Sequence, residues 1–153
     1  MEPPSGATEE NMVAIAFEDN TELHVNIEAE ELWSEGNTDV LDEYYTDDFV
    51  YHGPDGDLDM DGYRTHASEF REAFPDCHVA VHETVLDGDL TVARFTYSGT
   101  WEGTFRGMES NGSSFSVDGI SMARIEDGKF AEIWRYTDRM AMMTQLGLVD
   151  LPA

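Results

Sequence analysis

The apolar residues of this chain change their period at Cys77, and that change limits the folds open to it. Before it they recur at helical spacing. Tyr63, Ala67, Phe70 and Phe74 fall at i, i+4, i+7 and i+11, one face of a helix predicted over Gly62–Phe74, with Asp61 able to cap it and Pro75 to end it. After Cys77, Val79, Val81 and Val85 alternate with His78, His82 and Thr84, the period of a half-buried strand.

The rest of the chain follows the same division. Asp19-Asn20-Thr21 offers N-cap oxygens to a first helix with Val25, Ala29, Leu32 and Trp33 on one face and Gly36-Asn37 as its stop. A short helical piece over Val40–Tyr45 and a strand over Phe49–His52, cut off by Gly53-Pro54, come next. Beyond the turn at Asp87-Gly88-Asp89, a long strand is predicted over Leu90–Trp101. Gly103–Gly112 is a connection with Phe105 inside it. Phe115–Ile125 and Lys129–Thr137 form a hairpin around Asp127-Gly128, and a last helix covers Arg139–Leu146. Helices first and long strands afterwards indicate an α+β domain, a curved antiparallel sheet wrapped on N-terminal helices. Residues 12–150 read as that single domain, and Met1–Asn11 as a loose acidic arm. Helices too few to fill the concave face leave a pocket, a favourable place for a small apolar molecule.

Charge narrows the partners. Of 153 residues 33 are Asp or Glu and 8 are Lys or Arg, a formal net charge of −25, and Lys129 is the only lysine. There is no positive field to neutralise phosphates, so nucleic acid is close to excluded as a partner and anionic membrane surfaces are disfavoured. No apolar run has the length of a membrane span, and one cysteine, Cys77, allows no intramolecular disulfide. The carboxylates either present an acidic surface to a cationic partner or metal, or belong to a salt-adapted (halophilic) cytoplasm. Their spread through the whole chain favours the second reading. Disorder does not fit a chain 41% apolar and 11% aromatic with periodic order.

Few residues are placed for chemistry. A period of two puts Glu132, Trp134, Tyr136 and Asp138 on one strand face. Asp138 either caps the following helix or edges the pocket, where burial behind a Trp would raise its pKa toward proton exchange. His52 is either a hydrogen-bonded structural residue or a polar group facing inward. His78 and His82 stand about 13 Å apart along a strand, too far for one metal ion. His24 and His66 lie on helices without a ligand-like partner. Asp55–Gly62 resembles a calcium loop but has Ser68 where the bidentate Glu belongs, so it reads as an acidic loop leading into a helix cap. Acids near Cys77 disfavour its use as a nucleophile. No metal site emerges. Trp33, Tyr45, Tyr97, Trp101, Phe105 and Trp134 are more than a minimal core needs and could wall a pocket for flat apolar ligands.

Taken in order, Leu32-Trp33-Ser34-Glu35-Gly36-Asn37, Asp48-Phe49-Val50-Tyr51-His52, Ala73-Phe74-Pro75-Asp76, Asp87-Gly88-Asp89, Gly99-Thr100-Trp101-Glu102-Gly103-Thr104-Phe105, Asp127-Gly128-Lys129, Glu132-Ile133-Trp134 with Asp138, and Gln145-Leu146-Gly147 resemble the SnoaL-like polyketide cyclases, or ester cyclases, of the NTF2-like (cystatin-like) superfamily. The resemblance runs from about Glu22 to Gly147. It implies a cone-shaped α+β barrel, a homodimer formed through the sheet, and a hydrophobic pocket that works without metal or organic cofactor. It also implies general acid/base catalysis of an aldol-type ring closure, with Asp138 as the acid/base and His52 lining the pocket. Many ester cyclases have His where Trp101 stands. The positions nearest to the assisting polar pair of the antibiotic cyclases are Met122 and Arg124. A simple two-residue turn at Asp127-Gly128 turns Ser121 and Ala123 toward the Asp138 face, whereas a bulge turns Met122 and Arg124 there. An inward Arg124 would point to an anionic ligand. A binding module of the same fold, or a dehydratase or hydrolase, are the alternatives.

Overall fold

The computed structural model describes residues 19–149; the expected arm Met1–Asn11 and the apolar run after it lie outside them. The fold is α+β, with helices at the start and a curved, open six-stranded sheet after them. Helix α1 begins at Asn20–Leu23, where Asp19 accepts hydrogen bonds from the Thr21 and Glu22 amides, and continues through His24–Ser34 in π-helical geometry. The wider turn changes which residues are buried. His24, Ile27, Glu28, Ala29, Leu32 and Trp33 face inward, while Val25, expected on the buried face, is only partly covered.

A short helix α2 (Val40–Tyr44) leads into β1 (Tyr45–Gly53), which pairs with β2 (Gly56–Leu58) across the turn at Pro54-Asp55. The acidic loop expected there is therefore partly strand. Helix α3 (Met60–Ala73) starts two residues early, capped by Asp59 rather than Asp61: its carboxylate accepts the Gly62 amide at 2.9 Å. The strands β3 (His78–Asp87), β4 (Leu90–Thr100), β5 (Ser114–Glu126) and β6 (Lys129–Thr137) follow, then helix α4 (Arg139–Gln145).

The sheet order is β2-β1-β6-β5-β4-β3. It is not wholly antiparallel, because β1 runs parallel to β6. A parallel pair needs a long crossover, supplied here by α3 and the four strands β2 to β5. Asp127 (φ 50°) and Gly128 (φ 76°) make the tight β5–β6 turn. Glu126 faces Lys129 and Ile125 faces Phe130, but Arg124 then faces Glu132, so Ala131 is a bulge. That one extra residue sets Met122 opposite Trp134 and Ser121 opposite Arg135. Among the described residues no helix is long and apolar enough to cross a membrane, and no group of three or more His, Cys, Asp or Glu is placed to hold a metal ion.

Candidate active site

Strand β6 turns Ile133, Arg135 and Thr137 toward the helices, and the apolar face they meet leaves a cavity of about 600 Å³. Trp33, Phe70, Tyr97, Phe105, Met142 and Met143 supply apolar walls; Tyr51, His66 and Arg135 are polar groups set among them, and Asp55, Asp61, Glu69, Arg106 and Arg139 also line it.

Behind the cavity stands Glu28, 2% exposed. Its carboxylate accepts hydrogen bonds from Trp33 Nε1 at 2.9 Å, from the Tyr45 and Tyr63 hydroxyls, and from Arg135 Nη2. Burial, reinforced for Tyr45 by Glu28, pushes both tyrosine hydroxyls well above their usual range, so they remain donors. Arg135 Nη2 also donates to the Tyr63 hydroxyl at 3.0 Å. Its guanidinium lies 5.0 Å from the Trp33 ring centre and 5.2 Å from that of Tyr51. Burial opposes its charge, but Tyr63, Tyr51 and Glu28 outweigh that and raise its pKa above the ordinary arginine value. A fixed cation thus faces an aromatic cavity.

His66 touches the same two rings, 5.7 Å from Trp33 edge-on and 5.8 Å from Tyr51 in a stack. Burial first, then Arg135, lowers its pKa to about 4. The imidazole is neutral at pH 7 and can take or share a proton.

The residues singled out from the sequence divide into three groups. Trp33, Tyr97 and Phe105 line the cavity. Tyr45 and Trp101 are core residues, Tyr45 bonded to Glu28 and Trp101 Nε1 donating to the Gly103 carbonyl at 2.7 Å. Met122, Arg124, Glu132, Trp134 and His52 lie on the opposite, outer face of the sheet. There His52 stacks on Trp134 at 4.9 Å and is clamped by Glu132 and Asp57, each at 2.8 Å, while Arg124 bonds to Glu132 and Asp89. The strand face expected to look into the pocket is thus the outer one. The physical reason is that Arg135, neutralised by Glu28, takes the inward position, so Trp134 and Glu132 turn outward. Asp138 is exposed and caps α4, accepting the Ala141 amide at 3.0 Å; it stands between the lining residues Thr137 and Arg139. Cys77 is buried, and burial rather than its acidic neighbours is the main cause raising its pKa.

Sequence reasoning missed Glu28, Tyr51, His66 and Arg135. For His66 a signal existed: it lies three residues after Tyr63 and four before Phe70, on the apolar side of α3. Glu28 likewise lies four residues before Leu32.

The sequence profile of the family described as SnoaL-like polyketide cyclase matches residues 13–146. Among solved structures, TsrD from Streptomyces laurentii is 28% identical, over 86% of this chain and 98% of that one, with a TM-score of 0.74. IdmH from Streptomyces antibioticus, described as a candidate polyketide cyclase, is 27% identical over 83% of this chain and 96% of its own, with a TM-score of 0.70. A candidate SnoaL-like polyketide cyclase from Jannaschia sp. CCS1, 24% identical over 85% of this chain and 91% of its own, has the same fold at a TM-score of 0.74. No protein with a curated description is similar enough to match. With the helices, the sheet and the walls of the cavity all inside the matched residues, the chain belongs to the SnoaL-like polyketide cyclase family.

Proposed function

We propose that this protein is a cofactor-independent cyclase that moves a proton next to a carbonyl in a small apolar or aromatic compound, with His66 and Arg135 as the working groups. The observation that carries this reading is a neutral imidazole and a buried guanidinium flanking the same two rings of one apolar cavity. His66 takes a proton from the carbon between two carbonyls. Its low pKa makes it a weak base, so the acidity of that position and the contact of the enolate oxygen with Arg135 have to supply the rest of the driving force. Arg135 holds the oxygen on which negative charge develops, in a site where water is thinned out. The carbanion carbon then attacks a third, more distant carbonyl of the same molecule. One carbon–carbon bond forms as the π bond of that carbonyl breaks, its oxygen becomes an alkoxide, and the proton returns to it. No electrons enter or leave, so no redox cofactor is required. The apolar walls hold the chain folded for ring closure.

The family resemblance gives the acid/base role to Asp138, assisted by His52, and this choice can be tested directly. Small 1,3-dicarbonyl compounds are incubated in heavy water at high salt, and exchange of the acidic proton is followed by NMR. Exchange abolished in His66→Gln and retained in Asp138→Asn supports the present assignment. The reverse pattern moves the acid/base to Asp138. A second reading, a non-catalytic binding module, draws on the exposed, helix-capping position of Asp138; it predicts saturable binding with no exchange above background. A dehydratase or hydrolase could use the same two groups and would be recognised by its product.

We further assign self-association to the outer face of the sheet, where exposed Val85, Ile120 and Tyr136 accompany Met122 and Trp134. The homodimer expected from the resemblance would form there, in a salt-rich cytoplasm.

A further inference from the structure

Two arginines at the mouth of the cavity share one carboxylate. Arg106 Nη2 lies 2.6 Å from Asp55 Oδ2, and Arg139 Nη1 lies 3.3 Å from Asp55 Oδ1. All three residues line the cavity and are partly open to solvent. Among the described residues this is the one place where two guanidiniums meet one carboxylate. Arg64 and Arg94 each have their own, Arg124 has two, and Arg71 is held by backbone carbonyls. In a chain with 33 acids and seven arginines, undirected pairing leaves surplus carboxylate; within this cluster of three it leaves one unit of positive charge. The other acids lining the cavity, Asp61 and Glu69, belong to α3, and among the described residues the ion-pair partner of both arginines is Asp55.

The backbone gives a second, independent indication. Arg106 has φ 50° and with Gly107 (φ 78°) forms a two-residue turn closed by reciprocal hydrogen bonds between Phe105 and Met108. Asn, Asp or Gly suits that position, and a long side chain there is strained. The turn holds the Arg106 guanidinium 5.6 Å over Phe105, a wall of the cavity, and against Asp55.

We propose that Arg106 and Arg139 form a carboxylate-recognition site at the cavity mouth, binding an acidic group on the compound whose apolar body fills the interior. Asp55 demonstrates the fit, since each of its two oxygens already faces one guanidinium. It engages one nitrogen of each fork, and the remaining N–H groups are donors for a second carboxylate. The inference rests on the cavity being the substrate site and narrows the substrate class to carbonyl compounds that carry a carboxylate. The arginines also act on His66, where Arg106 and Arg139 add to the lowering of its pKa and Asp55 opposes it.

The test compares anthraquinone-2-carboxylate with its neutral methyl ester by calorimetry at fixed ionic strength. A chain of net charge −25 repels the acid in general, so a preference for it must arise locally. The expected result is about tenfold or more tighter binding of the acid to the wild type. In Arg106→Gln/Arg139→Gln that preference falls to about one, with ester affinity retained. If the double variant loses the ester as well, the single variant Arg139→Gln decides, by a preference reduced at least threefold. Equal binding of acid and ester to the wild type, a preference that survives the substitutions, or binding of neither probe overturns the inference. Proton exchange on a neutral dicarbonyl compound, lost in His66→Gln, would still stand in each of those cases, so the two readings fail separately.

Discussion

Trp33 Nε1 donates a hydrogen bond of 2.9 Å to Glu28, five residues earlier in the same helix. In an α-helix of 3.6 residues per turn, positions five apart point in different directions. The i to i+5 bonding of the π-helical stretch brings them to one side, as in the 2.9 Å bond from the Glu35 amide to the Glu30 carbonyl. The helix thus presents a carboxylate and an indole to the same point, where Tyr45, Tyr63 and Arg135 complete the set of donors.

Removing the cation from this set leaves a buried charge unpaired. Arg135→Met is expected to lower stability by about 3–5 kcal/mol, measured by urea unfolding. Glu28→Gln/Arg135→Met should lose less than the sum of the two single changes. Strict additivity would show that the two groups are not coupled.

The histidines divide in their response to pH. His24 and His66 have pKa values lowered to about 4, chiefly by burial. The unfolded chain, with histidines near 6.5, binds protons that the native state refuses, so their contribution erodes as pH falls from about 6.5 toward 4. His52 is shifted upward, first by its hydrogen bond to Glu132 and, against burial, by Asp57. Its contribution is complete below 6.5 and is lost as pH rises through its raised value. Ring-proton NMR should show His52 titrating above 6.5 and the other two well below; a His66 midpoint near 6.5 contradicts this.

Gly103 has no room for a side chain. A Cβ there would lie 2.3 Å from the Glu72 carbonyl oxygen and 3.3 Å from Ala73 Cα, where the loop closes on the end of α3 as the Gly103 amide donates a hydrogen bond to the Ala73 carbonyl. Gly103→Ala is expected to cost roughly 1–3 kcal/mol, read from thermal or urea unfolding.

Salt should act on both fold and assembly. Raising NaCl from 0.1 to 1 M shortens the screening length from about 10 to about 3 Å, so the melting temperature should rise across that range. The proposed dimer should sediment as such in 1 M salt and dissociate on dilution of the salt. Ile120→Glu, placed on the outer face, should be monomeric at both; a wild type monomeric in 1 M salt would remove the assignment.

The sheet's local order was legible where turns and alternation act alone. Asp127-Gly128 and the alternation around it give β6 to the residue, and the period of Tyr63, Ala67 and Phe70 gives α3. What escaped depends on partners distant in the chain. Apolarity ranks Trp134 above Arg135 for an inward place, yet Arg135 is inside because Glu28, 107 positions away, neutralises it. The bulge at Ala131 decides whether Met122 or Ser121 faces inward, and nothing local marks it. The parallel pairing of β1 with β6 is likewise invisible to patterns that describe one strand at a time. The family's fold was thus readable from these patterns, but the place of Arg135 in the candidate site was not, because it is held by a pairing between the first helix and the last strand.

Glu28 belongs to the first helix and its cation to the last strand, with consequences for how the protein is made. While the chain emerges from the ribosome, α1 has no cation for its carboxylate, because Arg135 has yet to be synthesised and an interior charge without a counter-charge is costly. The helix must wait, solvated, for more than a hundred residues. Closure of the core is therefore a late event governed by contacts of long sequence separation, which slow folding. Truncation before Arg135 should yield an unfolded chain rather than a smaller domain.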